Sequence, residues 1–228
     1  MRIKELKLYT NKLTELYEFY SSNLEFKILN KTAASFCIQA GYSKLKFEQS
    51  KKGFIYHFCF LIPSNKLQDS IDWLKKRTTI ISYENGRLIE PANKEWNADS
   101  IYFLDPAGNI LEFIVRYDLK NESTKNSFDI SQVLCVNEIG MPSKDLLKIN
   151  TVLEKELDSK LWTGDLKRFG ANGTQNGLFL LVNYEIKKNW FPTETAPYPS
   201  PFTGTFESNG NNFNLTFKNE KITLCKKH

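Results

Sequence analysis

One pattern restricts the fold of this 228-residue chain more than any other: a strand, a helix and a run of short strands, in that order, and then the same order again. Copies of one supersecondary unit must pack on each other to bury their apolar faces. The first copy opens with Ile3-Lys4-Glu5-Leu6-Lys7-Leu8-Tyr9, which alternates with period two and reads as a strand. Asn11 is placed to cap a helix whose Leu13, Leu16, Tyr17, Tyr20 and Leu24 share one face. Strands are expected over about 26–32, 35–40 and 43–49.

The second copy begins at Ile55-Tyr56-His57-Phe58-Cys59-Phe60-Leu61-Ile62 and is stopped by Pro63. Ser64 or Asn65 caps its helix, which carries Leu67, Ile71 and Leu74 inward. A strand near 79–83 and a polar excursion from Glu84 to Asp99 follow. Then Ser100–Leu104 and Ile110–Val115 flank Asp105-Pro106-Ala107-Gly108-Asn109, a turn in which proline fixes φ and Gly108 or Asn109 supplies a positive one. Residues 118–130 lack apolar period and read as a linker. A divergent third copy occupies 131–228: a strand at Val133–Pro142, a helix capped by Ser143 with Leu146, Ile149, Leu153 and Leu157, and irregular strands near 168–172, 178–182, 202–207 and 213–217. The expected division is a paired domain over 1–117 (units 1–50 and 54–117), the linker, and the third unit with its C-terminal strands.

Composition excludes several classes. The longest apolar runs are about five residues, against the roughly 20 of a membrane helix. The N-terminus alternates charge instead of presenting a secretory leader, so a cytoplasmic protein is expected. Thirty-one basic residues against 26 acidic ones leave a net charge of +5 without like-charge blocks, and no nucleic-acid or membrane partner is expected. The four cysteines form no Cys-x-x-Cys pair, and Cys37, Cys59 and Cys135 read as small buried hydrophobes in strands.

Three segments resemble the vicinal oxygen chelate superfamily, the glyoxalase, bleomycin-resistance and extradiol-dioxygenase group. They are Leu16-Tyr17-Glu18-Phe19-Tyr20-Ser21-Ser22-Asn23-Leu24, Tyr56-His57-Phe58-Cys59-Phe60, and above all Ile101-Tyr102-Phe103-Leu104-Asp105-Pro106-Ala107-Gly108-Asn109-Ile110-Leu111-Glu112-Phe113. The likeness is good over 1–117 and weak over 131–183. It implies an α+β fold of tandem βαβββ units whose curled sheets form a cleft, with helices outside. It also implies that a divalent ion (Mn, Ni, Zn, Fe or Mg), where one is bound, is held by the first and last strands of paired units.

Carried onto this chain, those slots fall on Glu5 and His57 in the first strands and on Lys46 and Glu112 in the last. Strand alternation puts Glu5 with Lys7, His57 with Cys59, Lys46 with Glu48, and Glu112 with Arg116, each opposite an apolar set. The expected metal ligands are therefore Glu5, His57 and Glu112. Charged Lys46 cannot ligate a cation, and in the metal-free alternative Glu5 and Lys46 form an ion pair across the cleft. Glu112 and Glu48 are the catalytic acid–base candidates. Lys46, Arg116, Tyr102 and Trp96 are the substrate-binding candidates, Arg116 for an anionic group and the rings for pocket walls. A small organic molecule is the expected partner of a monomer or homodimer. Two functions compete: a metal-dependent lyase, isomerase or oxygenase, and a metal-free binding protein of the bleomycin-resistance type. A third reading makes the proline-bearing stretch Trp190–Phe202 a lid or docking arm.

Overall fold

The alternation and capping signals above resolve, among the described residues, into fifteen strands and three α-helices. The computed structural model describes residues 1–83, 86–91 and 95–227. The first unit comprises β1 (Arg2–Thr10), α1 (Leu13–Glu18, continued by a π-helical turn Phe19–Asn23), β2 (Ile28–Lys31), β3 (Ser35–Ala40) and β4 (Ser43–Gln49). The second comprises β5 (His57–Leu61), α2 (Leu67–Leu74), β6 (Glu90–Pro91), β7 (Ala98–Leu104) and β8 (Ile110–Arg116). The third comprises β9 (Cys135–Pro142), α3 (Leu146–Leu157), β10 (Leu161–Gly164), β11 (Phe169–Thr174) and β12 (Gly177–Val182). Three further strands, β13 (Phe202–Ser208), β14 (Asn211–Lys218) and β15 (Lys221–Lys227), form an antiparallel meander.

Within each full unit the first strand pairs in parallel with the last, as β1 with β4, β5 with β8 and β9 with β12. The pairing between units departs from expectation. β5 pairs antiparallel with β9, which joins the second unit to the third in an eight-stranded sheet. β1 pairs antiparallel with β13, which joins the first unit to the meander in a seven-stranded sheet. The first and second units therefore do not share a sheet. A first strand has one free edge once its own last strand is paired, and any other first strand can occupy it. Long-range burial makes that choice.

The apolar faces of the two sheets meet in a common core. Phe26 packs on Phe60 with ring centres 5.3 Å apart, and Phe179 on Phe206 at 4.8 Å. The helices lie on these inner faces, outside each sheet's cleft; α3 touches β11 and β12 of one sheet and β15 of the other. Two stitches fix the relation of the sheets. Ser43 Oγ donates to Ile3 O at 2.6 Å and accepts from Val136 N at 3.0 Å. Gly41 (φ +57°) lies so close to Leu134 that an added Cβ would sit 1.8 Å from its carbonyl oxygen, and Tyr42 N donates to that oxygen.

The turn at Asp105 is a structural knot. Asp105 accepts from Ala107 N, Asn109 N, Asn109 Nδ2 and the Tyr20 hydroxyl, while Asn109 Oδ1 accepts from Tyr56 N. Gly108 supplies the positive φ, +82°. Several local readings shift. Asp145, not Ser143, caps α3 by accepting from Lys148 N at 2.9 Å, while α1 and α2 have no side-chain cap. The expected strand at 79–83 is a single bridge between Ile80 and Phe103. Part of the excursion from Glu84 to Asp99, and the second histidine His228, lie outside the described residues. The linker is pinned by Phe128, whose ring packs on Trp73 (5.6 Å) and Phe113 (5.8 Å). Cys59 and Cys135 are buried as expected; Cys37 is half-buried at the face of the seven-stranded sheet.

Candidate metal centre

His57 opens β5, Glu112 is central in β8 and Glu138 is central in β9. The parallel ladder sets His57 beside Ile110, two residues before Glu112, so both side chains leave the same face. The antiparallel partner strand then brings Glu138 opposite Cys59. One ligand atom from each of the three residues lies within 4.8 Å of the others, and all three residues are buried. In the third unit Glu138 is the ladder partner of Leu178. The residue two places on, where the second unit carries Glu112, is Leu180. The duplicated sheet thus offers three donors and one leucine.

The protonation of the three donors follows from their surroundings. His57 Nδ1 lies 3.1 Å from Ile110 O, which fixes this nitrogen as the donor and leaves the Nε2 lone pair facing the cluster. Burial lowers the imidazole to a pKa of about 4, with Lys187 adding to the effect, so it is neutral at pH 7. Burial, and then the negative charge of Glu138, raise Glu112 to about 8 although Ser100 Oγ donates to its Oε1 at 2.5 Å. Its other oxygen lies 3.5 Å from His57 Nε2. With the imidazole neutral and the carboxyl protonated, that contact joins neutral groups and is not an ion pair. Burial also raises Glu138, and Arg116 opposes it.

Arg116 is fully buried and donates through Nη2 to Glu138 Oε1 and through Nε to Asn137 Oδ1 at 3.0 Å. Its guanidinium carbon lies 5.4 Å from the Trp96 ring centre and 5.6 Å from that of Trp162. Neutral imidazole nitrogen beside two carboxylates is a donor set suited to borderline and hard divalent ions. A cation there would relieve the repulsion that holds the Glu112 proton in place. The three residues fit a metal ion.

Above the cluster is a cavity of about 520 Å³, lined by Trp96, Tyr102, Phe169, Trp190 and Phe191, with Ile114, Leu180, Ser100, Glu90 and Lys187 completing its wall. The segment between β12 and β13 supplies Lys187, Trp190 and Phe191. Ser200 Oγ, bonded to Ile55 O at 2.8 Å, ties down its far end.

Of the residues singled out in the sequence, the structure brings His57, Glu112, Tyr102 and Trp96 to this cavity. Arg116 stands behind it, on Glu138. Glu5, Lys46 and Glu48 stand on the other sheet. Glu5 pairs with Lys44 at 3.3 Å, and Glu48 lies 3.4 Å from both Lys46 and Lys7. The anticipated Glu5–Lys46 pair is replaced by the Glu5–Lys44 and Glu48–Lys46 contacts, because Lys44 is the ladder partner of Glu5. Glu138 takes the place in the cluster that the sequence suggested for Glu5. Its signal was a carboxylate inside the apolar run Val133–Met141. Lys187, Phe169 and Phe191 have no comparable local signal.

No protein-family model and no curated protein sequence matches the chain. Among solved structures, a candidate dioxygenase from Bacillus subtilis aligns over 99% of this chain and 84% of its own, with a TM-score of 0.61 at 13% identity. A point variant of glyoxalase I from Zea mays aligns over 94% of this chain and 88% of its own, with a TM-score of 0.55 at 12% identity. The chain shares the α+β, glyoxalase-like fold of these two structures, built from tandem βαβββ units. No helix among the described residues is long and apolar enough to cross a membrane.

Proposed function

We propose that the chain is a divalent-metal-dependent enzyme of the glyoxalase–dioxygenase type, acting on a small organic substrate in the cavity of the eight-stranded sheet. The observation that carries this is the convergence of three buried donor atoms within 4.8 Å, from two repeat units, at the foot of an aromatic-walled cavity. His57, Glu112 and Glu138 would hold the ion, which supplies Lewis-acid stabilisation of negative charge developing on a substrate oxygen. The chain's own groups do the rest. Ile110 O holds His57 in the tautomer that leaves Nε2 free, and Ser100 orients Glu112. Arg116 donates to one oxygen of Glu138 and opposes the rise in pKa that burial imposes on that carboxyl. Trp96, Tyr102, Phe169 and Trp190 exclude water and favour a planar substrate.

Metal content tests the reading. Protein exposed to Mn²⁺, Ni²⁺, Zn²⁺, Fe²⁺ or Mg²⁺ and then desalted should retain about one ion per chain. His57→Ala and Glu112→Ala should each reduce retention more than tenfold. Wild-type protein that stays metal-free in every case would refute it. A second reading, metal-free sequestration of an organic molecule, draws on one feature: the Arg116 guanidinium already neutralises Glu138. Under that reading the double variant His57→Ala, Glu112→Ala keeps its affinity for ligand.

A further inference from the structure

The cavity wall falls into two aromatic groups. Trp96 packs edge-on against Trp162 (4.8 Å between ring centres) and at 6.3 Å from Phe169. Tyr102 meets Phe191 edge-on at 5.7 Å, and Trp190 packs over His57 at 5.0 Å. Lys187 spans the two: its Nζ is 5.2 Å from the Phe169 ring centre and 5.6 Å from that of Trp190. The side chain is half-buried and lines the cavity. Among the described residues no carboxylate pairs with it, and the charge that acts on it is that of Arg168, of the same sign. Glu90, the other acid in the wall besides Glu112 and Glu138, is engaged by Arg87 at 3.6 Å. Burial pushes the ammonium down to about 8, so it remains mostly charged at pH 7 with no counter-ion among the described residues.

A half-buried cation without an anion is costly to maintain, and a ligand that brings the anion recovers the difference. Ring faces on either side add cation–π attraction but leave the ammonium protons available. We propose that Lys187 is a specificity-determining residue: it pairs with a carboxylate at one end of a planar substrate whose other end reaches His57, Glu112 and Glu138. The ligand class is thus a planar organic acid with oxygen donors remote from its carboxylate. One ammonium between two rings matches the single charge of a carboxylate, whereas it would leave the second charge of a phosphate dianion uncompensated. The role of the far end rests on the metal-dependent reading; the Lys187–carboxylate pair does not.

The test uses 3,4-dihydroxybenzoate and its uncharged methyl ester as probes, titrated calorimetrically into wild-type, Lys187→Met and Lys187→Arg protein, each with and without Mn²⁺. Wild type should bind the acid about tenfold more tightly than the ester, the effect of one charge-assisted hydrogen bond. Lys187→Met should bring that ratio to about one, and Lys187→Arg should keep most of it. A ratio near one in wild type, an unchanged ratio in Lys187→Met, or no binding of the acid at millimolar concentration would each overturn the proposal. Mn²⁺ uptake is followed in the same samples. Protein that takes up Mn²⁺ but shows no acid preference overturns only the role of Lys187. Protein that refuses Mn²⁺ yet shows a lysine-dependent preference overturns only the metal centre.

Discussion

Glu112 and His57 tie stability to pH in opposite senses. Glu112 is raised from 4.5 to about 8, so between those values the folded metal-free chain holds a proton that the unfolded chain has released. Its contribution is full below about 4.5 and is lost as pH rises toward 8. His57 is lowered from 6.5 to about 4, so its contribution is present above 6.5 and is lost as pH falls toward 4. Together they give the metal-free protein a stability plateau between about pH 4.5 and 6.5 that declines on both sides. Glu112→Gln keeps an acceptor for Ser100 and removes the buried charge. It should stabilise the metal-free protein at pH 8 by about 2 kcal/mol, or about 4–8 °C in melting temperature for a chain of this size, and change little at pH 5. The same variant should bind Mn²⁺ more than tenfold more weakly. Melting curves at the two pH values check the first outcome, and an equal shift at both would contradict the stated cause. Because an entering ion must displace the Glu112 proton, wild-type affinity for metal should rise between pH 6 and 8.

Among the elements, β9 and the segment after β12 depend on each other. Gly140 on β9 has the indole of Trp190 so close that an added Cβ would lie 2.7 Å from it. Gly140→Ala must push Trp190 away from His57 and with it the segment bearing Lys187 and Phe191. The expected result is faster proteolysis within residues 183–201 and a loss of about 1–3 kcal/mol in stability. An unchanged cleavage pattern would show that the indole does not anchor the segment. The helix faces, the Asp105 turn and the shared face of His57 and Glu112 were legible in the sequence, because each depends on residues a few positions apart or on one parallel ladder. Glu138 was not, because strand alternation cannot say which neighbour a first strand will acquire. Lys187 sits in a stretch without any periodicity, so no local rule relates it to β5.

At the scale of the molecule, one core joins the two sheets through Phe26–Phe60, Phe179–Phe206 and the Ser43 stitch. The chain should therefore unfold in one step. All four tryptophans, Trp73, Trp96, Trp162 and Trp190, lie in the half built from the second and third units, so their fluorescence reports on that half while far-ultraviolet dichroism reports on both. Coincident melting by the two probes is expected; an earlier loss of dichroism would reveal a seven-stranded sheet that opens independently.

The sequence by itself determined the repeat, the strands and helix of the first unit and the shared face of His57 and Glu112, since these follow from periodicities of two and 3.6 within short stretches; it assigned 202–217 to the third unit, whereas those strands join β1 on the other sheet. Only the tertiary structure decided which units are joined. That decision sent Glu5 to a solvated sheet face beside Lys44 and brought Glu138 beside His57 and Glu112. Its physical reason is that the free edge of a first strand accepts any partner of suitable register, so burial of the whole core, and no local preference, selects between them.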